Sequence, residues 1–266
     1  MKNGPDHRTK NVLVEFLFRL GDDRLILGHR LSEWCGHAPI LEEDIALANI
    51  ALDLLGQASA LLRLAGEIEG KNRAEDDLAY FREATQFTNL QLVEQPNGDF
   101  AFTIARLFFF SAFNNLLSER LQKSSIEALA GIAAKGFKES SYHLRHSKEW
   151  MLRLGNGTEE SHQRMQIAVN ELWRFTGEML AFDEVEEKLQ QQNVIPDLNP
   201  IAPKWNEIVA AVLTEATIII PSHQKDGGQA GNHAVSGSRN GFHSEHLGHL
   251  LAEMQILARS YPDAKW

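Results

Sequence analysis

A single cysteine, Cys35, in 266 residues excludes an internal disulfide framework and suits a reducing cytoplasm. Basic charge is short as well: 26 Lys and Arg stand against 36 Asp and Glu, a formal net charge of −10. Phosphate backbones are bound by clustered Lys and Arg, so nucleic acid is excluded as a partner class. No charged-then-apolar block ending in small residues opens the sequence, so no signal peptide is expected. The longest apolar run, 101–117 ("AFTIARLFFFSAFNNLL"), carries Arg106 in its middle and two Asn near its end. It predicts a buried soluble helix and no membrane span. Strand patterns are nearly absent. No Walker loop, dinucleotide fingerprint or Gly-x-Ser-x-Gly elbow occurs, which leaves nucleotide and serine-hydrolase chemistry without support.

Helical periodicity fills the chain instead. A first helix is expected over 11–34, with an interruption near Gly21. Pro39 opens a second, with Glu42, Glu43 and Asp44 in its first turn where the helix dipole favours them, running to residue 69. A shorter helix over 74–87 precedes the loop "EQPNGD". Asp99 starts the very apolar third long helix, which ends before Ser124. Ser124 with Glu127 fits a capping box for a fourth, running to 154–157, and Thr158 caps another. Prolines 196, 200 and 203 mark a loop, and 208–219 reads equally as strand or helix. Residues 222–242 are rich in Gly, Ser, His and Asn and predict a mobile loop. A last helix ends before Pro262. Four long helices joined by short connections imply an all-α, antiparallel four-helix bundle with additional helices, as one domain over 1–266.

Polar residues inside apolar helices are where chemistry would sit. The second helix is apolar almost all round and belongs in the bundle centre. Its exceptions Asn49, Asp53 and Gln57 recur at i, i+4 and i+8, one stripe. Burying Arg106 alone is costly, so it should find a carboxylate, with Asp53 and Glu139 the natural candidates. The stretch "KESSYHLRHSKEW" (138–150) sets Glu139 four residues before His143, with His146 three further on. This approaches the Glu-x-x-His unit of di-iron helical proteins and misses it, because Tyr142 stands at i+3. The second helix offers Asp53 followed at i+3 by Gly56, and the third offers Asn114, Asn115 and Glu119. Amides and a cation make a poor cage for iron. An internal polar network is the plainer reading. A self-sufficient di-iron oxidase using Glu139, His143, Asp53 and Glu119 is the competing one, and a His-rich metal module centred on 233–249 is a third. The one literal Glu-x-x-His, Glu159 with His162, falls in a helix first turn where acids are expected for capping. His243, His246 and His249 share a spacing of three and read as a surface cluster.

Four blocks carry a resemblance: "LGDDRLILGHRLSEWCGHAPILEEDIALANIALDLLGQA" (20–58), "LVEQPNGDFAFTIAR" (92–106), "YHLRHSKEWMLRLGNGTEESHQRMQ" (142–166) and "HSEHLGHLLAEMQILARSYPDAKW" (243–266). Together they closely resemble the C-subunit family of bacterial phenylacetyl-CoA epoxidases, from about residue 13 to the end. The resemblance implies a ferritin-like fold and a place in an oxygen-using monooxygenase that converts the ring of phenylacetyl-CoA to a 1,2-epoxide. It implies a di-iron catalytic A subunit as partner, a small bridging B subunit, and a reductase supplying electrons from NADPH. It implies no metal, cofactor or catalytic residue in this chain, and a cytoplasmic location away from membrane and nucleic acid. Asn49, Asp53, Gln57, Arg106, Glu139, Tyr142 and His143 would then be the polar filling of a vestigial site.

Overall fold

The computed structural model describes residues 7–221 and 235–264, and among these there are helices and no strands. In chain order they are α1 (His7–Ser32), α2 (Leu41–Glu69), α3 (Glu75–Tyr80), α4 (Gln91–Glu94), α5 (Phe100–Leu121), α6 (Glu127–Gly155), α7 (Glu159–Leu172), α8 (Thr176–Leu180), α9 (Glu184–Gln191), α10 (Ile201–Glu215) and α11 (Glu245–Ser260). The ends follow local chemistry. Asp99 accepts from the Phe102 N–H at 2.9 Å to start α5, and Thr158 accepts from the Ser161 N–H at 3.2 Å to start α7. Gly70 ends α2 in the left-handed region at φ 72°, which a glycine adopts without strain.

Side-chain contacts give the register. Arg24 meets Gln57 between α1 and α2, Glu139 meets Gln57 between α6 and α2, and Phe100 meets Trp150 between α5 and α6. Trp34 reaches Thr103 while Arg24 reaches Asn114, so α1 and α5 also run in opposite directions. The spatial ring is therefore α1–α2–α6–α5, each neighbour antiparallel. α2 and α5 lie diagonally and run parallel, which a short link cannot achieve. Residues 70–99 return along the bundle to make that crossover, the single long connection that marks ferritin-like bundles.

Several sequence expectations need correcting. Gly21 does not interrupt α1; a Cβ there would come within 2.9 Å of Leu62 Cδ2, so its role is close approach to α2. The expected helix over 74–87 is only α3, followed by a 3-10 turn at Ala84–Gln86. The Ser124–Glu127 box does not form, because the Ser124 hydroxyl donates to the Val194 carbonyl at 2.7 Å and accepts from the Ile126 N–H. Pro203, read as loop, lies in the first turn of α10, where its missing N–H has no partner to lose. The ambiguous 208–219 segment is helical to Glu215. α2 is central on one side only: Leu41, Ile45 and Leu52 are 72%, 54% and 66% exposed.

The expected mobile loop falls partly outside the described residues, at 222–234. Its later part, 235–242, is docked: Ser238 is fully buried, and Arg239 pairs with Asp23 at 2.9 Å. α5 is buried from Thr103 to Asn114, against α6 and the Arg24 side chain of α1 on the bundle side and the Trp173 and Trp205 rings on the other.

Candidate functional site

The middle of the bundle, where facing helices would present metal ligands, holds a guanidinium. Arg24 lies on the same α1 stripe as Leu20, Leu27 and Leu31 and is 4% exposed. Its Nε–H donates to Gln57 Oε1 of α2 at 3.0 Å, its Nη2 donates to Asn114 Oδ1 of α5, and its Nη1 donates to the Leu20 carbonyl at 2.7 Å. Gln57 completes the relay by donating from Nε2 to Glu139 Oε2 of α6 at 2.8 Å. All four long helices are thus joined by one polar chain. Burial pushes Arg24 down to about 10, against support from Asp23, and Arg239 lowers it further. At neutral pH it still carries its charge.

Nothing else fits beside it. The residual cavity there, lined by Arg24, Gln57, Ser118 and Gly136 among others, holds only about 10 Å³. Gly136 of α6 lies against the Gln57 amide, where a Cβ would stand 3.4 Å away.

One turn along, His143 is 1% exposed, and its ring Nε2 is 3.0 Å from Asp53 Oδ2. A carboxylate only accepts, so that nitrogen carries the proton. Burial lowers the His143 pKa, with Asp53 partly offsetting it. His146 and Glu43 approach to 3.0 Å, at an angle that no hydrogen bond uses. Tyr142 is 41% exposed and stacks on His146 with ring centroids 5.9 Å apart.

The predicted stripe is therefore split. Gln57 is central and Asp53 half-buried, but Asn49 is exposed. Tyr142 points outward. Arg106 is fully buried yet meets neither Asp53 nor Glu139; it donates to the Gln95 carbonyl and to Asn97 Oδ1. The crossover loop wraps over the start of α5 and delivers those neutral oxygens. Burial lowers Arg106 to about 9; Arg30 depresses it further and Glu33 opposes. Glu119, a member of the competing di-iron set, is exposed on a groove beside α10. Glu159 is exposed, and the His162 ring faces the Gly155 carbonyl at 2.7 Å. His243, expected on a surface helix face, precedes α11 and faces Glu94 at 3.0 Å.

Sequence reasoning missed Arg24. The signal was available, since position 24 falls on the repeat of 20, 27 and 31, an apolar stripe with one cation in it. It also missed the buried carboxylates that tie the crossover to α1. Asp22 accepts from Arg82 at 3.0 Å and the Thr88 N–H at 2.9 Å, and Asp23 accepts from the Leu90 N–H at 2.8 Å.

A four-helix bundle with one crossover, its centre filled by a cation, two amides and one carboxylate, defines a ferritin-like protein whose donor set does not suit a metal pair. Among the described residues, no three His, Cys, Asp or Glu side chains converge as metal ligands would. The whole chain, residues 1–266, matches the family described as phenylacetic acid catabolic protein. It is 48% identical over 256 residues to the C subunit of 1,2-phenylacetyl-CoA epoxidase from Escherichia coli strain K12, covering 96% of this chain and 100% of that relative. The chain belongs to the phenylacetic acid catabolic protein family.

Proposed function

We propose that this chain is the non-catalytic structural subunit of a multicomponent phenylacetyl-CoA 1,2-epoxidase. It pairs with a di-iron catalytic A subunit, within an assembly that includes a bridging B subunit and a reductase, in the cytoplasm. Arg24 is the observation that carries the reading. Iron in an oxygen-activating bundle is held by carboxylates and imidazoles from all four helices. Around Arg24 the inward positions are Gln57, Asn114 and Glu139, of which one alone is an anionic oxygen donor, and one turn along the buried His143 is taken up by Asp53. A fixed positive charge repels the cation that the site would need. The network holds helix register, and the di-iron chemistry belongs to the partner.

The test is metal analysis and oxygen consumption on the purified chain, alone and co-purified with its catalytic partner. Alone, it should hold substoichiometric iron after anaerobic reconstitution and show no oxygen-dependent turnover. Two tightly bound irons per chain would overturn the reading.

A further inference from the structure

α2 and α5 are both long and apolar enough, by length and composition, to cross a membrane. In α5, 83% of the most apolar eighteen-residue stretch is buried; in α2 the share is 44%. α2 packs on α1, α3 and α6 and leaves its outward side open. Ile40, Leu41, Ile45 and Leu52 stand on that side, 48%, 72%, 54% and 66% exposed. From residue 45 to residue 62 the one charged side chain is Asp53, already tied to His143. Scattered exposed apolar residues are ordinary; a row at helical spacing on an almost uncharged helix marks an interaction surface.

The geometry points to this α2 face, bordered by the outer row of α6, as the interface for a second and different protein subunit. On the reading proposed above, that subunit is the catalytic one. Two observations select a protein over lipid. Exposed Asn49 and the half-exposed Asp53 sit within the apolar strip, where lipid tails offer no hydrogen bonds and a protein does. Gly56 is exposed and Ala48, Ser59 and Ala60 are half-buried, small residues that let another helix approach closely.

The border chooses a different chain over a copy. Lys135, Lys138 and Arg145 are exposed on α6 and line up at i, i+3 and i+10, with one exposed acid, Glu149, at the end of the row and Lys135 3.4 Å from Glu139, a net positive row in a chain of net charge −10. A copy would bring the same cations to its own rim, whereas an acidic rim on another chain complements them. The strip from residue 40 to residue 60 is about 31 Å long, and with the outer row of α6 it is about 20 Å wide. That is on the order of 600 Å², most of the about 800 Å² per partner in a standard interface.

Ile45→Asp and Leu52→Asp place a charge at the centre of the strip; Ile167→Asp on α7 and Ile256→Asp on α11, at residues 55% and 65% exposed, are the controls. Each chain is co-expressed with the catalytic subunit, and dissociation of the co-purified complex on dilution is followed in analytical ultracentrifugation, with far-UV circular dichroism and thermal melts of each chain alone checking the fold. The strip variants should lose about 100-fold or more in affinity with their melts unchanged, and the controls should bind like the parent. Raising the ionic strength should slow association of the parent. Strip variants that bind the catalytic subunit as tightly as the parent overturn the assignment of the face and leave the functional reading standing. A parent chain that does not bind that subunit overturns both. A homodimer of the parent that Leu52→Asp dissolves, or parent binding to phosphatidylglycerol vesicles that Leu52→Asp abolishes, also overturns the assignment. So does Ile45→Asp or Leu52→Asp rescued in binding by a basic substitution nowhere near the strip.

Discussion

Arg24 and Arg106 are buried in helices of one bundle, and the groups that hold them are amide and carbonyl oxygens. Such acceptors satisfy the N–H groups without supplying a full countercharge, so burial lowers both guanidinium pKa values, to about 10 and about 9. The cost of removing either arginine therefore lies in the oxygens left unpaired. Arg24→Met should destabilise the chain by about 2–4 kcal/mol in urea unfolding, because Gln57 Oε1 and Asn114 Oδ1 lose a buried donor. Adding Gln57→Leu and Asn114→Leu should recover part of that loss, since an all-apolar centre leaves nothing unsatisfied. An additive triple variant would contradict the relay. Arg106→Met should couple in a double-mutant cycle to Asn97→Ala by about 1 kcal/mol, and behave additively with Asp53→Asn and Glu139→Gln, which it does not touch.

At the scale of elements, the joint between α11 and the crossover depends on proton count. His243 presents Nδ1 to Glu94 Oε2 at 3.0 Å and Nε2 to the Phe87 carbonyl at 2.9 Å. Both partners accept, so the ring carries both protons, and although burial opposes the charge, Glu94 and the carbonyl raise its pKa. That contribution is fully present below the unfolded value of about 6.5 and is lost as pH rises through the higher folded value. His29 acts oppositely: burial lowers it to about 4, so its contribution is present above about 6.5 and is lost as pH falls toward 4. His243→Gln should therefore flatten the loss of thermal stability on the alkaline side, and His29→Gln the loss on the acid side, each read from melts between about pH 4 and 9. A parent melt that does not change over that range would sink both. The caps and long helices were legible in the sequence because they depend on neighbours a few residues apart, as at Asp99 and Thr158. The docking of His243, Asp22 and Asp23 was not, since each joins positions that only the crossover brings together. The same limit misdirected Arg106 toward carboxylates on other helices, when its partners lay nine and eleven residues upstream in a loop.

For the whole molecule, on the function proposed above, the question is whether an epoxidase assembled with this chain depends on the chain's shape or on its polar groups. The alternating α1–α2–α6–α5 ring and the crossover reproduce a metal-binding architecture, while Arg24 closes its centre and His143 is taken up by Asp53. A scaffold acts through buried area, and its internal hydrogen bonds can be exchanged for others of similar shape. A catalyst depends on particular groups, and removing one typically lowers the rate about 10²–10⁴-fold. Glu139→Gln keeps an acceptor for the Gln57 amide, and His143→Gln keeps a donor for Asp53. Complexes reconstituted with the double variant, and shown to be assembled by size-exclusion chromatography, should turn over phenylacetyl-CoA to within a few-fold of the parent. Leaving this chain out should instead cripple the activity or solubility of the catalytic subunit, whose apolar contact face would be open to water. A fully assembled double variant slowed about 10³-fold would place catalysis in this chain's own side chains, and the scaffold reading would fail.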